Sequence, residues 1–283
     1  LAVSPHVGDV DDFADDLGTF SGLAVAVLPA WEKPPSEARP GDETLARRLR
    51  IARQLLDDPP RIVAASMQAV MQPVPTPAAL AKASRTLKVG ETIPVEELIG
   101  WFVDRGMSRV EVVEVAGELS LRGGILDVFS PDRAEPVRIE FFGDEVESIR
   151  PFDPETQRSL GRLESVSLTA PVAAADHSPD ALGHLADYLR EGSWVALIEP
   201  DDLKEQGGHY LGRVENRRGL FTVEGTFRRL TERPSIAVSA VASASLETTC
   251  RLRVESVERF SGELAKVKAE LEEITKGLLD GTI

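Results

Sequence analysis

The sequence predicts an α/β protein in which a parallel-sheet domain is interrupted by an inserted, β-rich antiparallel module. Residues 1–84 alternate apolar strand patterns with amphipathic helix patterns, and residues 163–283 return to the same alternation. Residues 85–162 instead carry several short strands separated by turn residues. Strand–helix–strand order favours a parallel sheet, whereas short strands joined by tight turns favour an antiparallel one. We therefore predict one α/β domain in two sequence segments, with the module between them.

The first segment opens with an apolar strand at residues 1–3 and continues as an amphipathic helix. One helical face carries Val10, Phe13, Ala14 and Leu17, and the other carries Asp11, Asp12, Asp15 and Asp16. We interpret these carboxylates as a solvated surface rather than as a pair for acid–base catalysis. The remaining predicted elements are a strand at 25–28, a helix at 43–56 and a strand at 61–66.

The inserted module is predicted to begin with a helix and to continue as a compact antiparallel sheet. The helix is expected over 95–105, and the strands over 110–115, 118–122, 125–129, 137–142 and 145–150. Between these strands stand Gly117, Gly123, Gly124 and Gly143. Glycine adopts positive φ without a steric penalty, so we assign these residues to turns or bulges.

The second α/β segment is predicted to contain helices at 182–189 and 203–214, strands at 194–198 and 236–241, and a final helix from 263. That helix spaces Leu264, Val267, Leu271, Ile274 and Leu278 by three and four residues. Because the pattern spans only two heptads, we interpret it as a core-facing stripe rather than a coiled-coil partner site.

Composition limits the classes of function. The chain of 283 residues is 42% hydrophobic, which is typical of a folded globular protein with room for two domains. No uncharged apolar run reaches 18 residues, so we expect no membrane span, and the single Cys250 fits a reducing cytoplasm. The net charge of −15 repels a phosphate backbone, which argues against non-specific nucleic-acid binding by this chain.

The sequence contains none of the catalytic or metal-binding motifs expected of a nucleotide-driven motor or a metalloprotein. No G-x-x-x-x-G-K-[ST] phosphate loop occurs, and the histidines His6, His177, His184 and His209 lack a metal-ligand spacing. The strand at 195–198 runs into Glu199 and Pro200, where a motor protein would carry its magnesium-binding acid, but Ile198 occupies the ligand position. We interpret Glu199 and Pro200 as a degenerate acidic motif, and we predict no catalysis, cofactor or metal for this chain.

The side-chain alternation of the predicted strands defines a candidate interface. Period two puts Arg138, Glu140 and Phe142 on one face of their strand and the apolar residues 137, 139 and 141 on the other. The same alternation in the strand at 118–122 places the Arg122 side chain on the outward face. Two arginines around an aromatic ring are typical of interface hot spots. The alternative is that Arg138 pairs with Glu140 or a cross-strand acid and that a loop covers Phe142. Secondary interface candidates are Asp127, Asp144 and Glu145.

The stretch GELSLRGGILDVFSPDRAEPVRIEFFGDEVESIRPFDPETQRSL, residues 117–160, closely resembles the second domain of the bacterial transcription-repair coupling factors, the Mfd family. That domain is shared with UvrB and binds the repair protein UvrA. The flanking stretches LPAWEKPP, VAASMQAVMQPVP and RVESVERFSGEL resemble the first domain of the same family. The resemblance implies that Arg122, Arg138 and Phe142 contact UvrA, and that the surrounding α/β domain is a degenerate helicase-like fold.

The resemblance also implies a function. It identifies the chain as a fragment that recruits UvrA in transcription-coupled nucleotide excision repair without catalysis of its own. The full-length relatives would be ATP- and magnesium-dependent translocases that act on double-stranded DNA and stalled RNA polymerase. The alternative is a part of UvrB, an ATP-dependent damage-recognition enzyme. It fits less well because Trp31-Glu32 and the Arg-Gly-Gly at 122–124 resemble the coupling factor, and because a chain with two tyrosines lacks the tyrosine-rich hairpin of UvrB.

Overall fold

The computed structural model describes residues 1–32, 42–171, 181–240 and 249–250. The strands are β1 Ala2–Ser4, β2 Val25–Leu28, β3 Ile62–Ser66, β4 Val74–Pro75, β5 Ser84–Lys88, β6 Ser108–Arg109, β7 Glu118–Arg122, β8 Ile125–Val128, β9 Val137–Phe142, β10 Glu145–Pro151, β11 Ser165–Thr169, β12 Leu182–Gly183, β13 Val195–Ile198 and β14 Ser235–Val238. The α-helices are α1 Val10–Ser21, α2 Glu43–Asp57, α3 Met67–Met71, α4 Pro77–Lys82, α5 Val95–Val103, α6 Pro200–Arg213 and α7 Val223–Thr231. The helix predicted from residue 263 lies outside the described residues.

A parallel sheet and an antiparallel sheet confirm the mixed α/β class. The parallel sheet has the order β14-β13-β1-β3-β2, so strands from the two ends of the compact unit Leu1–Val241 meet beside β1. Side-chain caps start its helices: Asp42 accepts from the Leu45 amide at the start of α2, and Ser66 accepts from Ala69 at the start of α3. The helix α1 packs Val10 and Ala14 on the sheet residue Ala64.

The buried guanidinium of Arg48 joins α2 to the segments after β2 and α3. It donates hydrogen bonds to the carbonyl oxygens of Pro29 at 2.7 Å, Ala69 at 3.3 Å, Gln72 at 3.1 Å and Pro73 at 3.1 Å, and stacks 4.5 Å from the Trp31 ring centre. Burial lowers the pKa of Arg48 to about 9, so the group stays charged at neutral pH. The carbonyl oxygens therefore offset much of the cost of burying this cation.

Two of the secondary-structure elements predicted from the sequence are wrong, one in the α/β part and one in the inserted module. Residues 182–189 do not form one helix. They form the short strand β12, which pairs with β4, and a 3-10 helix at Leu185–Tyr188 that is capped by His184 and Asp187. The strand predicted over 110–115 is a loop, because the carboxylate of Glu118 accepts hydrogen bonds from the amides of Glu114 and Val115 and so replaces a ladder partner.

The strands β5 and β11 pair antiparallel where the chain enters and leaves the second sheet. Their residues Leu87, Val166 and Leu168 belong to the hydrophobic core beneath that sheet. On the other side, Arg53 of α2 donates to the hydroxyls of Ser84 at 3.2 Å and Ser167 at 3.0 Å. This strand pair, which we call the strap, therefore contacts both the α/β part and the second sheet.

The buried His184 should make stability depend on pH. Burial lowers its pKa to about 4, helped by nearby Arg229. Between about pH 4 and the ordinary histidine pKa of about 6.5, the unfolded chain binds a proton that the folded chain excludes, so the free energy of unfolding rises with pH. We expect a gain of about 2 kcal/mol from pH 5 to pH 7.5, measured by urea denaturation. His184→Asn keeps a cap acceptor for Ala186 and should lose this gain; an unchanged pH profile in the variant would contradict the assignment.

Candidate protein-docking face

The second sheet has one buried face and one outer face. Its strand order is β10-β9-β8-β7-β6, antiparallel except that β6 runs parallel to β7 because the loop 110–117 crosses over between them. The buried side chains of the inner face include Leu119, Leu126, Val137, Ile139 and Phe141. The predicted alternation in β9 is confirmed: residues 137, 139 and 141 point into the core, and Phe142 points to solvent.

The outer face contains two rows of side chains with different surroundings. One row consists of Ser120, Asp127, Arg138 and Arg150, and loops contact it at two positions. Ser120 donates to the Glu111 carbonyl of the loop 110–117, and Arg138 contacts Gln157 in the turn after β10. The second row, Arg122, Ile125, Glu140 and Ser148, lies toward the hairpin turns and is more open.

A buried ion pair holds the covered row together. The Asp127 side chain is 3% exposed, and both of its carboxylate oxygens accept from Arg138, at 2.7 Å from Nε and 2.8 Å from Nη2. This hydrogen bonding raises the pKa of Arg138. The guanidinium also lies 4.5 Å from the centre of the Phe152 ring. Arg138 is therefore fixed in one orientation, with 19% of its side chain exposed.

The three residues predicted to contact UvrA differ in accessibility. Phe142 is 79% exposed, so no loop of the described chain covers it, and the Arg122 side chain is 59% exposed. The alternative interpretation expected Arg138 to pair with Glu140 or with a cross-strand acid. Arg138 pairs with the cross-strand acid Asp127. The same contact removes Asp127 from the candidates that face a partner, because its carboxylate is buried beneath Arg138. Asp144 and Glu145 are exposed beside Phe142.

Glycines shape the two hairpin turns that carry this surface. Gly123 and Gly143 adopt φ of 60° and 63°, as predicted for turn residues. Gly124 is required for another reason: a Cβ there would lie 2.7 Å from the Phe141 carbonyl oxygen. This close approach accompanies a 2.7 Å hydrogen bond from the Phe141 amide to the Gly124 carbonyl. It fixes β8 against β9 beside Phe142.

Sequence reasoning overlooked Ile125 as a surface residue. It is 38% exposed, faces Arg122 on β7 and Glu140 on β9, and so belongs to the outer face. The signal was available, because the apolar run Ile125-Leu126 must put one member on each side of a strand.

The acidic motif at the end of β13 is used within the protein. Glu199 precedes α6 with φ of 48°, and its carboxylate accepts from the Ser239 hydroxyl at 2.8 Å and from the Ala240 amide at 2.6 Å. Pro200 is the first residue of α6. Across the described ranges, no three His, Cys, Asp or Glu side chains are grouped to hold a metal ion. No helix in this described part is long and apolar enough to cross a membrane.

The second sheet and its strap are similar to a known domain family. Residues 86–172 match the UvrB interaction domain. The chain is 36% identical over 178 residues to the transcription-repair-coupling factors of Mycobacterium bovis and Mycobacterium tuberculosis, covering 60% of this chain and 14% of each relative. It is 48% identical over 107 residues to that of Staphylococcus haemolyticus, covering 37% of this chain and 9% of the relative. The predicted resemblance is thus confirmed, and the similarity spans a small part of each relative's length.

Removing Arg138 from the second sheet should destabilise the fold. Arg138→Ala leaves the buried Asp127 carboxylate with Arg122, at 3.8 Å, as its nearest cation. Losing one member of a buried ion pair costs about 3–5 kcal/mol, and partial compensation by Arg122 and water should reduce this to about 2–4 kcal/mol. Urea denaturation measures the difference. The exposed Arg109→Ala is the control and should change stability by less than about 0.5 kcal/mol. Equal stability of the two variants would show that Asp127 does not depend on Arg138.

The close backbone approach at Gly124 gives a second stability prediction. Gly124→Ala should lower the free energy of unfolding by about 1–3 kcal/mol, because the added methyl group meets a backbone oxygen that cannot rotate away. Gly123→Asn is the matched control, since asparagine tolerates the positive φ and open space surrounds this position. If the two variants unfold at the same urea concentration, the close approach does not constrain the hairpin.

Proposed function

We propose that this chain is a non-catalytic adaptor that recruits UvrA in transcription-coupled nucleotide excision repair. The observation that carries the proposal is the exposed Phe142 on the outer face of a sheet that matches the UvrB interaction domain. An exposed aromatic ring on the same sheet face as the accessible guanidinium of Arg122 has the composition of an interface hot spot. Arg138 supports this surface from the neighbouring row and offers its exposed edge to the partner.

The parallel sheet would serve as the scaffold for this adaptor. Its five parallel strands, with β1 at the centre, support a degenerate helicase-like domain that the UvrB interaction domain interrupts. The two hydrogen bonds accepted by Glu199 support a structural use of the former acidic motif in place of metal binding. In the whole protein, an ATP- and magnesium-dependent translocase would act on double-stranded DNA and stalled RNA polymerase in the cytoplasm, and the adaptor would bring UvrA to that complex.

A part of UvrB is the second candidate, because the matched domain family bears that protein's name. The relatives from Mycobacterium and Staphylococcus are transcription-repair-coupling factors, and this favours the coupling factor. Both candidates would bind UvrA through the same docking face. A measurement of UvrA binding therefore distinguishes either candidate from a protein that does not bind UvrA.

The test is a calorimetric titration of purified UvrA with the 283-residue chain and its variants. Phe142→Ala and Arg122→Ala should each weaken binding by about 1–3 kcal/mol, the cost of removing a hot-spot side chain. Both side chains are largely exposed, so the variants should keep the unfolding midpoint of the parent.

Matched controls come from the same chain. Phe20→Ala removes an aromatic ring that is exposed on α1, and Arg109→Ala removes an exposed arginine of β6; both should bind like the parent. Parental affinity in the triple variant of Arg122, Arg138 and Phe142 would refute the proposed function.

A further inference from the structure

The outer face carries a second exposed apolar side chain next to Phe142. Ile125 lies opposite Glu140, and Phe142 is two residues further along β9 on the same face. Diagonal neighbours of this kind lie about 7–8 Å apart, within reach of a phenylalanine ring. The residues that cover the other row, 110–117 and 152–157, make their contacts at Ser120 and Arg138, away from this pair. Ile125 and Phe142 therefore form one apolar surface at the turn end of the sheet.

Opposite charges flank this apolar surface. Arg122 is the cross-strand neighbour of Ile125, and Glu145 is the cross-strand neighbour of Phe142. Following the strand order from β7 to β10, the side chains are a cation, two apolar groups and an anion. We call Arg122, Ile125, Phe142 and Glu145 the docking strip.

Both charged ends of the docking strip are available to a partner. The Asp127 carboxylate lies 3.8 Å from Arg122 and is already bonded twice to Arg138, so it holds Arg122 weakly. Glu145 is exposed at the start of β10. By contrast, Glu140 in the open row is engaged by Arg150 and by the Ser148 hydroxyl at 2.7 Å, and these contacts lower its pKa, the Ser148 bond most.

We infer that Ile125 is a direct contact residue of the docking face, and that the docking strip recognises a protein surface with an apolar pocket between a carboxylate and a cation. The carboxylate lies at the Arg122 end and the cation at the Glu145 end. This inference rests on the proposed function and specifies the complementary surface on UvrA. An apolar centre supplies affinity, while the asymmetric charges fix the direction in which the sheet docks.

The first experiment isolates Ile125 by calorimetric titration of UvrA with the full 283-residue chain. Ile125→Ala should raise Kd about fivefold or more, as expected for a central apolar contact. Ile125→Thr keeps a β-branched strand former and tests the same contact if the alanine variant folds poorly. Val89→Ala is the matched control, because Val89 is 39% exposed in the same domain and Ile125 is 38% exposed; it should leave Kd within about twofold of the parent.

The second experiment tests the order of charges. Glu145→Lys should weaken UvrA binding about threefold or more, with most of the change in the association rate and less at high salt. Glu164→Lys makes the same charge change at another exposed position of the domain and should have little effect. Equal effects of the two lysine variants would overturn the charge order, since they would reflect net charge alone.

The outcomes separate this inference from the proposed function. Weakening by Phe142→Ala and by the Ile125 variants, with parental binding by Val89→Ala, supports both. Weakening by Phe142→Ala with parental binding by both folded Ile125 variants overturns the role of Ile125 and leaves the proposed function standing. Parental binding by the Arg122, Arg138 and Phe142 triple variant overturns both.

Discussion

The bidentate ion pair between Asp127 and Arg138 is the constraint on which the docking face depends. A carboxylate in the middle of a five-stranded sheet, with 3% of its side chain exposed, requires a cation, and Arg138 supplies it from the neighbouring strand. This pairing fixes the Arg138 guanidinium against Phe152 and beneath Gln157. Because Asp127 is satisfied, Arg122 is held only weakly and remains available, and the accessible part of the face is confined to the turn end.

The strap explains how the α/β part can hold this face in place. Ser130, which follows β8, donates to the Thr169 carbonyl of β11 and accepts from its amide, and the Thr169 hydroxyl donates to Asp132. Arg53 bonds the strap to α2, whose Arg48 in turn secures the segment containing Trp31. Polar contacts thus run from the parallel sheet to the base of the docking sheet. A face built on packed strands requires little ordering when it binds, which favours its use for recognition.

The arrangement suits docking because its polar groups are used to position side chains. Glu199 binds its own chain after β14, and Asp127 binds Arg138, so these carboxylates have internal partners. The exposed groups of the docking strip are an aromatic ring, an aliphatic chain and two charges of opposite sign. In the proposed function, such a surface would discriminate between partners by shape and by the order of its charges.

Local pattern determined which residues could face outward, and the tertiary structure decided which of them do. The period of two in β7 and β9 predicted the outward positions of Arg122 and Phe142, because alternation follows from strand geometry alone. Ser120 and Asp127 share that outward parity but are buried, since the loop 110–117 and a cross-strand arginine cover them. The predicted strand at 110–115 does not form for a similar reason: the Glu118 side chain accepts the backbone amide hydrogen bonds that a neighbouring strand would otherwise accept. Which outward positions become buried depends on contacts between residues that are distant in sequence. These contacts leave Ile125 exposed, and the local alternation of side chains does not encode them.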